Sequence, residues 1–194
     1  MHKTISLLTW NVRGLGQDDK CDDVLMELIT ASATIVGLQE TKLSSLTPSK
    51  ARSFLPARLS SYISKDEVGA AGGIVLAWDP SIFYLCSSSH SPFSISTVLS
   101  FKVDGNSFTC TYVYAPTVHT DKPAFLANLA LLPPAGDHPW AVFDDFNLTY
   151  FPDEKNTDAF HADEATSFNA SIHALALLEI PLLERLFTWS SRRE

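Results

Sequence analysis

The chain has 194 residues, of which 45% are hydrophobic and 19% charged, and its formal net charge is −8. This length and composition predict one globular domain with a core of its own. The acidic balance excludes a protein held on nucleic acid by charge alone. No apolar run reaches the roughly 18 residues of a membrane span. The three cysteines, Cys21, Cys86 and Cys110, are widely spaced and match no zinc pattern. They are therefore expected to be reduced, mostly packing residues of an intracellular protein.

The first forty residues predict a strand, a helix and a second strand. Residues 4–10 and 34–38 are short apolar runs of strand type. Between them, residues 18–31 carry apolar side chains at helical spacing, with aspartates near the N-terminal end, where the helix dipole favours them. A strand, a helix and a strand in this order are typical of layered α/β folds.

The middle of the chain predicts a run of short strands. These are residues 59–64, 73–78, 81–88, 94–103 and 107–114, separated by turn signals such as Asp79-Pro80 and Asp104-Gly105-Asn106. Such a run implies an antiparallel sheet. Residues 121–132 and 163–179 then predict helices, and residues 139–143 a strand between them. We expect one mixed α/β domain with two sheets covered by helices.

Polar residues that are able to do chemistry stand at the ends of the first two predicted strands. Glu40 follows an apolar strand, and its carboxylate is a hard oxygen ligand of the kind that Mg²⁺ uses. Asn11 follows Trp10 and is suited to bind a phosphate or to orient Glu40. Ordinary loop roles remain open, with Glu40 capping the next segment and Asn11 as a turn asparagine.

A second group of polar residues follows the later strands. Asp145 and Asn147 stand two apart after residues 139–143, so on an extended segment they would point the same way. Asp145 is suited to activate a water and Asn147 to hold that water or a phosphate oxygen. Tyr114 ends another strand, and its phenol is suited to donate to a phosphate oxygen. The alternatives are an Asx turn for the pair and a half-buried aromatic for Tyr114.

Taken together, five short segments closely resemble the endonuclease/exonuclease/phosphatase superfamily. In chain order they are Thr9-Trp10-Asn11-Val12-Arg13-Gly14-Leu15, Leu38-Gln39-Glu40-Thr41-Lys42, Gly72-Gly73-Ile74-Val75, Val113-Tyr114-Ala115-Pro116 and Asp145-Phe146-Asn147. A later segment, Leu186-Phe187-Thr188-Trp189-Ser190-Ser191, is similar to the Phe-Thr-Trp-Ser segment of one group in that superfamily. That group is the apurinic-type endonuclease domain at the start of plant LINE-type (non-LTR) retrotransposon polyproteins. The resemblance covers nearly the whole chain.

The resemblance implies a four-layer α/β sandwich of two mixed β-sheets flanked by helices. It also implies phosphodiester cleavage in DNA that depends on Mg²⁺, with Mn²⁺ as the alternative ion. Residue by residue, Glu40 resembles the metal-binding glutamate, Asn11 an asparagine close to metal and phosphate, and Tyr114 a tyrosine that contacts the scissile phosphate. Asp145 resembles the water-activating aspartate and Asn147 its partner. In LINE elements this domain nicks chromosomal DNA to prime reverse transcription, so a nuclear location is expected.

Two features depart from the family pattern. Asp144 stands where the family usually has glycine, which places like charge beside Asp145. The family continues to a further strand and a closing Ser-Asp-His, which this chain, ending at Glu194, does not contain. We therefore expect a single domain over residues 1–194 that is incomplete at its C-terminus, lacks the final strands, and is weak or inactive by itself. The alternatives are another magnesium phosphoesterase of the superfamily, and a non-catalytic remnant that acts as a binding module. The six histidines are expected in surface or packing roles.

Overall fold

The computed structural model describes residues 5–68, 71–132, 137–143, 146–149, 161–181 and 183. The chain divides into two compact units. The first unit comprises Met1–Tyr114 and Ala135–Asp144, and the second comprises Ala115–Pro134 and Asp145–Glu194.

The first unit contains two four-stranded sheets. Its strands are β1 (Leu7–Asn11), β2 (Ile35–Gln39), β3 (Ser61–Val68), β4 (Ala71–Trp78), β5 (Phe83–His90), β6 (Ser94–Phe101), β7 (Ser107–Val113) and β8 (Trp140–Phe143). The first sheet has the order β1-β2-β4-β3 and the second the order β5-β6-β7-β8. In each sheet one pair is parallel, β1 with β2 and β7 with β8, and the other pairs are antiparallel. The prediction of an α/β fold with two mixed sheets and helices is thus confirmed.

The middle run of strands does not form one antiparallel sheet, so that part of the prediction was wrong. Strands β3 and β4 join the first sheet, whereas β5, β6 and β7 join the second. The chain crosses between the sheets at residues 79–82, where the Ile82 amide donates to the Asp79 carbonyl at 3.1 Å. Trp78 and Phe83, on either side of this turn, both pack into one buried cluster that spans the two sheets. Because both rings are buried in this cluster, the chain gains more by crossing to the second sheet after β4 than by adding a further strand to the first sheet.

Two helices, α1 (Asp18–Ala31) and α2 (Pro48–Phe54), pack on the first sheet. Helix α1 has the bounds that its apolar spacing predicts, and it buries Cys21, Val24 and Leu28. Helix α2 was not predicted, because seven residues are too few for a periodic signal. Local chemistry accounts for its start, since the Thr47 side chain accepts a hydrogen bond from the Lys50 amide at 3.2 Å.

The two sheets of the first unit pack face to face, and Gly37 sets how closely they approach. Gly37 lies in the middle of β2, and Tyr112 on β7 is fully buried. A Cβ on Gly37 would lie 2.2 Å from Cε2 and 2.5 Å from Cδ2 of the Tyr112 ring. Any side chain at position 37 therefore forces this ring or a strand to move.

We predict that Gly37→Ala destabilises the protein by about 1–3 kcal/mol, because the added methyl overpacks the space between the sheets. Urea unfolding followed by circular dichroism measures the loss. Gly16→Ala is the matched control, since a Cβ on Gly16 meets nothing within 4 Å. The double variant Gly37→Ala/Tyr112→Leu should lose less stability than the two single variants added together. Equal stability of Gly37→Ala and Gly16→Ala would contradict this packing account.

The second unit contains a 3₁₀ helix (His119–Asp121) and the helices α3 (Lys122–Ala130) and α4 (Ala162–Ala174). Helices α3 and α4 contact each other. Helix α4 is shorter than the predicted residues 163–179, and the chain turns just beyond it, where Ala176 has φ 51°. The predictions of a single domain and of missing final strands are not tested by these elements and stay predictions. No helix in the described ranges is both long and apolar enough to cross a membrane.

The cysteines form no disulfide: Cys21 and Cys110 are buried, and Cys86 is exposed on β5. Burial raises the pKa of the Cys110 thiol to about 12, so it stays protonated and acts as a small apolar side chain. Two of the three cysteines thus have the packing role that the sequence predicts.

Candidate active site

Backbone hydrogen bonds join the loops after β1 and β2 and the start of β4 at one end of the first sheet. The parallel pairing of β1 with β2 brings the carboxyl ends of both strands to this end, and β4 begins there. The loop after β1 donates to the loop after β2 through Gly14 to the Glu40 carbonyl at 2.7 Å and Leu15 to the Thr41 carbonyl at 2.9 Å. The Thr41 amide in turn donates to the Gly73 carbonyl at 3.0 Å. We name these three joined segments, residues 11–15, 39–42 and 72–73, the loop junction.

Glu40 follows β2 directly and adopts a left-handed backbone conformation, with φ 52°. In a continuing strand its side chain would point to the face opposite that of Gln39 and Asn11, which are paired in register. The left-handed turn ends this alternation. The Glu40 carboxylate instead accepts a hydrogen bond from the Asn11 side chain, with 2.8 Å between Nδ2 and Oε1. The structure thus brings together these two predicted site residues.

Asn11 is itself fixed from its other side. The Arg13 amide donates to the Asn11 side-chain oxygen at 3.1 Å. This contact orients the amide so that its nitrogen faces Glu40. Because Asn11 donates to the carboxylate, its geometry fits a residue that positions Glu40 better than one that provides a metal ligand of its own.

Tyr114 directly follows β7 and lies beside the loop junction. A Cβ on Gly72 would lie 3.8 Å from Cε1 of the Tyr114 ring, which places this ring next to the start of β4. Gly72 accepts a hydrogen bond from the Lys42 amide at 3.3 Å, two residues after Glu40. The predicted phosphate-contacting tyrosine is therefore located close to the loop that carries Glu40.

Asp145 lies outside the described residues, as does Asp144. Asn147 is described and has a left-handed backbone conformation, with φ 48°. That the Asp145 and Asn147 side chains point the same way stays a prediction. Its side-chain nitrogen donates to the Ala115 carbonyl at 2.8 Å. The intervening Phe146 packs on Phe168 of α4, with 5.2 Å between ring centroids, and thereby anchors Asn147 within the second unit.

Left-handed backbone conformations are concentrated in the loop junction. Arg13, Glu40 and Lys42 have φ values of 54°, 52° and 52°, and Gly72 and Gly73 have 110° and 77°. Each such non-glycine residue costs of order 1–3 kcal/mol, and such strain is concentrated at functional sites. The strain supports the assignment of the loop junction as a functional site.

One buried polar group beside Glu40 has no hydrogen-bond partner among the described residues. It is the side-chain oxygen of Gln39, a residue that is only 3% exposed. Leaving such a group unsatisfied costs about 1–3 kcal/mol. Sequence reasoning missed Gln39, because a glutamine at the end of an apolar strand carries no distinctive signal.

The residues at the loop junction fit a hard divalent cation. Mg²⁺ is usually held by one or two carboxylates, with water and phosphate at its other positions. Glu40 provides one carboxylate on a fixed backbone, and one of its two oxygens is held by Asn11. The exposed, positively charged side chains of Arg13 and Lys42 belong to the same loop junction as Glu40, and they suit a ligand that carries phosphate.

A second group of polar side chains lies in the second unit. His119 Nδ1 is 2.7 Å from Glu164 Oε1, and Lys122 Nζ donates to Glu164 Oε2 at 2.9 Å. Burial raises the pKa of the Glu164 carboxyl, but the hydrogen bonds and charges of His119 and Lys122 outweigh it and hold that pKa below its usual value. His119 and His161 are exposed, as the sequence analysis expects, but their rings lie 4.1 Å apart. No local pattern indicates this contact, because the two histidines are 42 residues apart in the chain.

The sequence pattern of the Endonuclease/Exonuclease/phosphatase family matches residues 8–192. The chain belongs to this family, whose members are hydrolases and generally depend on a divalent metal ion. No curated protein matches the chain.

Solved structures with the same fold have low sequence identity to this chain. The AP endonuclease LMAP from Leishmania major has a TM-score of 0.65 at 15% identity, over 88% of this chain and 66% of that one. A mannosyl-6-phosphatase from Bacteroides thetaiotaomicron has a TM-score of 0.57 at 10% identity, over 86% and 70%. The human Nocturnin catalytic domain has a TM-score of 0.53 at 17% identity, over 74% and 64%. The chain thus spans about two thirds of the length of these structures.

We predict that Gly73→Ala destabilises the protein more than Gly105→Ala does, although both glycines have similar φ values, 77° and 74°. A Cβ on Gly73 would lie 2.3 Å from the Thr41 hydroxyl, whereas one on Gly105 meets nothing within 4 Å. Backbone strain is therefore common to both, and the additional loss, about 1–3 kcal/mol, comes from the clash in the loop junction. Chemical denaturation measures both losses. Thr41→Ala should recover part of the difference, and equal losses for the two alanine variants would argue against a tight junction.

Proposed function

We propose that this protein hydrolyses phosphodiester bonds with the aid of Mg²⁺ and acts as the DNA-nicking endonuclease domain of a LINE-type retroelement. The observation that carries the proposal is the Asn11–Glu40 hydrogen bond of 2.8 Å at the joined carboxyl ends of β1 and β2. This hydrogen bond orients the Glu40 carboxylate, and the nearness of the Tyr114 ring to Gly72 gives further support. Membership of a family of nucleases and phosphatases supports the same chemistry.

In the proposed site Glu40 holds the divalent cation, Mg²⁺ or alternatively Mn²⁺. The cation would supply charge stabilisation at the phosphate and lower the pKa of a bound water. Asn11 holds one carboxylate oxygen in place, and the other oxygen of Glu40 would bind the cation. Lys42 and Arg13 would attract the substrate, because their exposed positive charges stand beside Glu40 in an otherwise acidic chain.

The remaining predicted residues complete the proposed mechanism. Tyr114 would donate its phenolic hydrogen to a phosphate oxygen from its place beside Gly72. Asp145 would accept the proton of the attacking water, and Asn147 would help to hold that water or the phosphate. The bond that breaks joins phosphorus to the 3′ oxygen, so that nicking yields a 3′-hydroxyl able to prime DNA synthesis.

DNA as the substrate is supported by two observations. The chain resembles LINE endonucleases in its Phe-Thr-Trp-Ser segment, Phe187–Ser190, which lies outside the described residues. In addition, its fold is similar to that of an AP endonuclease. Action on chromosomal DNA would require a nuclear location.

The first test is a plasmid-nicking assay with the purified chain in Mg²⁺. We predict that Glu40→Gln lowers the nicking rate at least 100-fold, because the amide keeps the shape of the side chain but removes the charge that binds the cation. Glu27→Gln, on the exposed face of α1, is the matched control and should nick at the wild-type rate. Thermal unfolding should show that both variants fold.

Three other outcomes would contradict the proposal. Equal nicking by wild type and Glu40→Gln would remove Glu40 from the chemistry. No nicking by the wild-type chain, together with DNA binding, would favour the non-catalytic binding module. Hydrolysis of small phosphomonoesters in place of DNA would favour another phosphoesterase of the family.

A second prediction concerns Asn11 as a positioning residue. Asn11→Ala should raise the Mg²⁺ concentration for half-maximal nicking by about 10-fold or more, because Glu40 loses the donor that orients it. The nicking rate at saturating Mg²⁺ should fall less. In the Glu40→Gln background the same alanine substitution should have little further effect. A change in thermal stability without a change in Mg²⁺ dependence would instead indicate a purely structural asparagine.

A further inference from the structure

Three side chains of the second unit form a cluster that the proposed nuclease chemistry does not use. They are His119 in the 3₁₀ helix, His161 directly before α4 and Glu164 in the first turn of α4. One ligand atom from each lies within 4.8 Å of the other two. The cluster shares no residue with the loop junction.

The donor set differs in kind from that at Glu40. Two imidazole nitrogens and one carboxylate are ligands that Zn²⁺ and similar transition-metal ions favour, whereas Mg²⁺ favours oxygen alone. The spacing also suits a single ion. Residues His161 and Glu164 are three apart at the start of α4, so they lie on one side of the helix.

Two further observations indicate a built site. Lys122, only 4% exposed, donates to Glu164 Oε2 at 2.9 Å and fixes the carboxylate, while Oε1 faces His119. Beside the cluster is a cavity of about 10 Å³, lined by Lys122, Leu148, Thr149, His161, Glu164 and Ala165. This volume is about that of one water-sized sphere, which a small ion or its bound water can occupy.

We propose that His119, His161 and Glu164 bind one transition-metal ion of the Zn²⁺ class. The ion takes one nitrogen from each histidine and one oxygen from Glu164, and it keeps a fourth position for water. Binding replaces the hydrogen bond between His119 Nδ1 and Glu164 Oε1, and the neutral imidazole keeps its proton on the nitrogen that does not bind the ion. Lys122 remains on the other carboxylate oxygen.

The bound ion would fasten the 3₁₀ helix before α3 to the start of α4. His161 lies 42 residues and Glu164 lies 45 residues after His119 in the sequence. Closing such a loop restricts the unfolded chain and stabilises the folded second unit. The site would therefore contribute to stability, independently of any phosphodiester hydrolysis.

Isothermal titration of the untagged protein with ZnCl₂ tests the proposal. All proteins carry Glu40→Gln, so that Zn²⁺ at that carboxylate does not contribute. We expect one high-affinity site, unaffected by millimolar Mg²⁺. We also expect a rise of about 7 °C in the unfolding temperature at 100 times the dissociation constant. Titration with Co²⁺ should give the visible absorption of a tetrahedral site with nitrogen ligands.

His119→Ala and His161→Ala should each weaken Zn²⁺ binding at least 10-fold and abolish the stabilisation. Both residues are exposed, so these variants should fold. His173→Ala is the matched control, because His173 is also exposed and lies on α4 but is outside the cluster. Undiminished binding in either cluster variant, or an equal loss in His173→Ala, would overturn the proposal. Because no readout depends on nicking, its failure is distinguishable from failure of the proposed function.

Discussion

The candidate active site depends on the backbone hydrogen bonds of the loop junction. Two amides of the loop after β1 and one carbonyl at the start of β4 hold residues 40 and 41 on both sides. These contacts stabilise the left-handed conformation of Glu40, which an isolated peptide would rarely adopt. Without them the side chain would follow the alternation of the strand and point away from Asn11. The position of the carboxylate thus depends on the loops after β1 and β2 and on the start of β4 together.

The same arrangement explains why small residues are required nearby. Gly73 leaves room for the Thr41 hydroxyl, and Gly37 leaves room for the Tyr112 ring between the two sheets. Gly73 thus permits the loop junction, and Gly37 permits the close packing of the two sheets. A site that holds a cation needs such support, because a carboxylate that is free to move loses orientation and affinity.

The two groups of candidate ligands have different chemical characters. Glu40 lies on rigid loops of the first unit and offers oxygen, which suits a hard cation and a phosphate. The cluster of His119, His161 and Glu164 offers nitrogen, which suits a softer ion, and it connects two segments of the second unit. The first is suited to chemistry and the second to stabilisation, so each can be tested with a different metal ion and a different readout.

The sequence by itself determined most of the elements and the family, and it indicated the two mixed sheets through the family resemblance. Helix α1 and the strands could be predicted because apolar periodicity and turn residues are local signals, and Asn11 and Glu40 because they stand at the ends of such strands. Only the tertiary structure decided that β3 and β4 leave the run of middle strands, that Glu40 turns towards Asn11, and that His119 meets His161. These features depend on contacts between residues far apart in the chain, and a local pattern does not encode which distant partner buries a ring or completes a hydrogen bond.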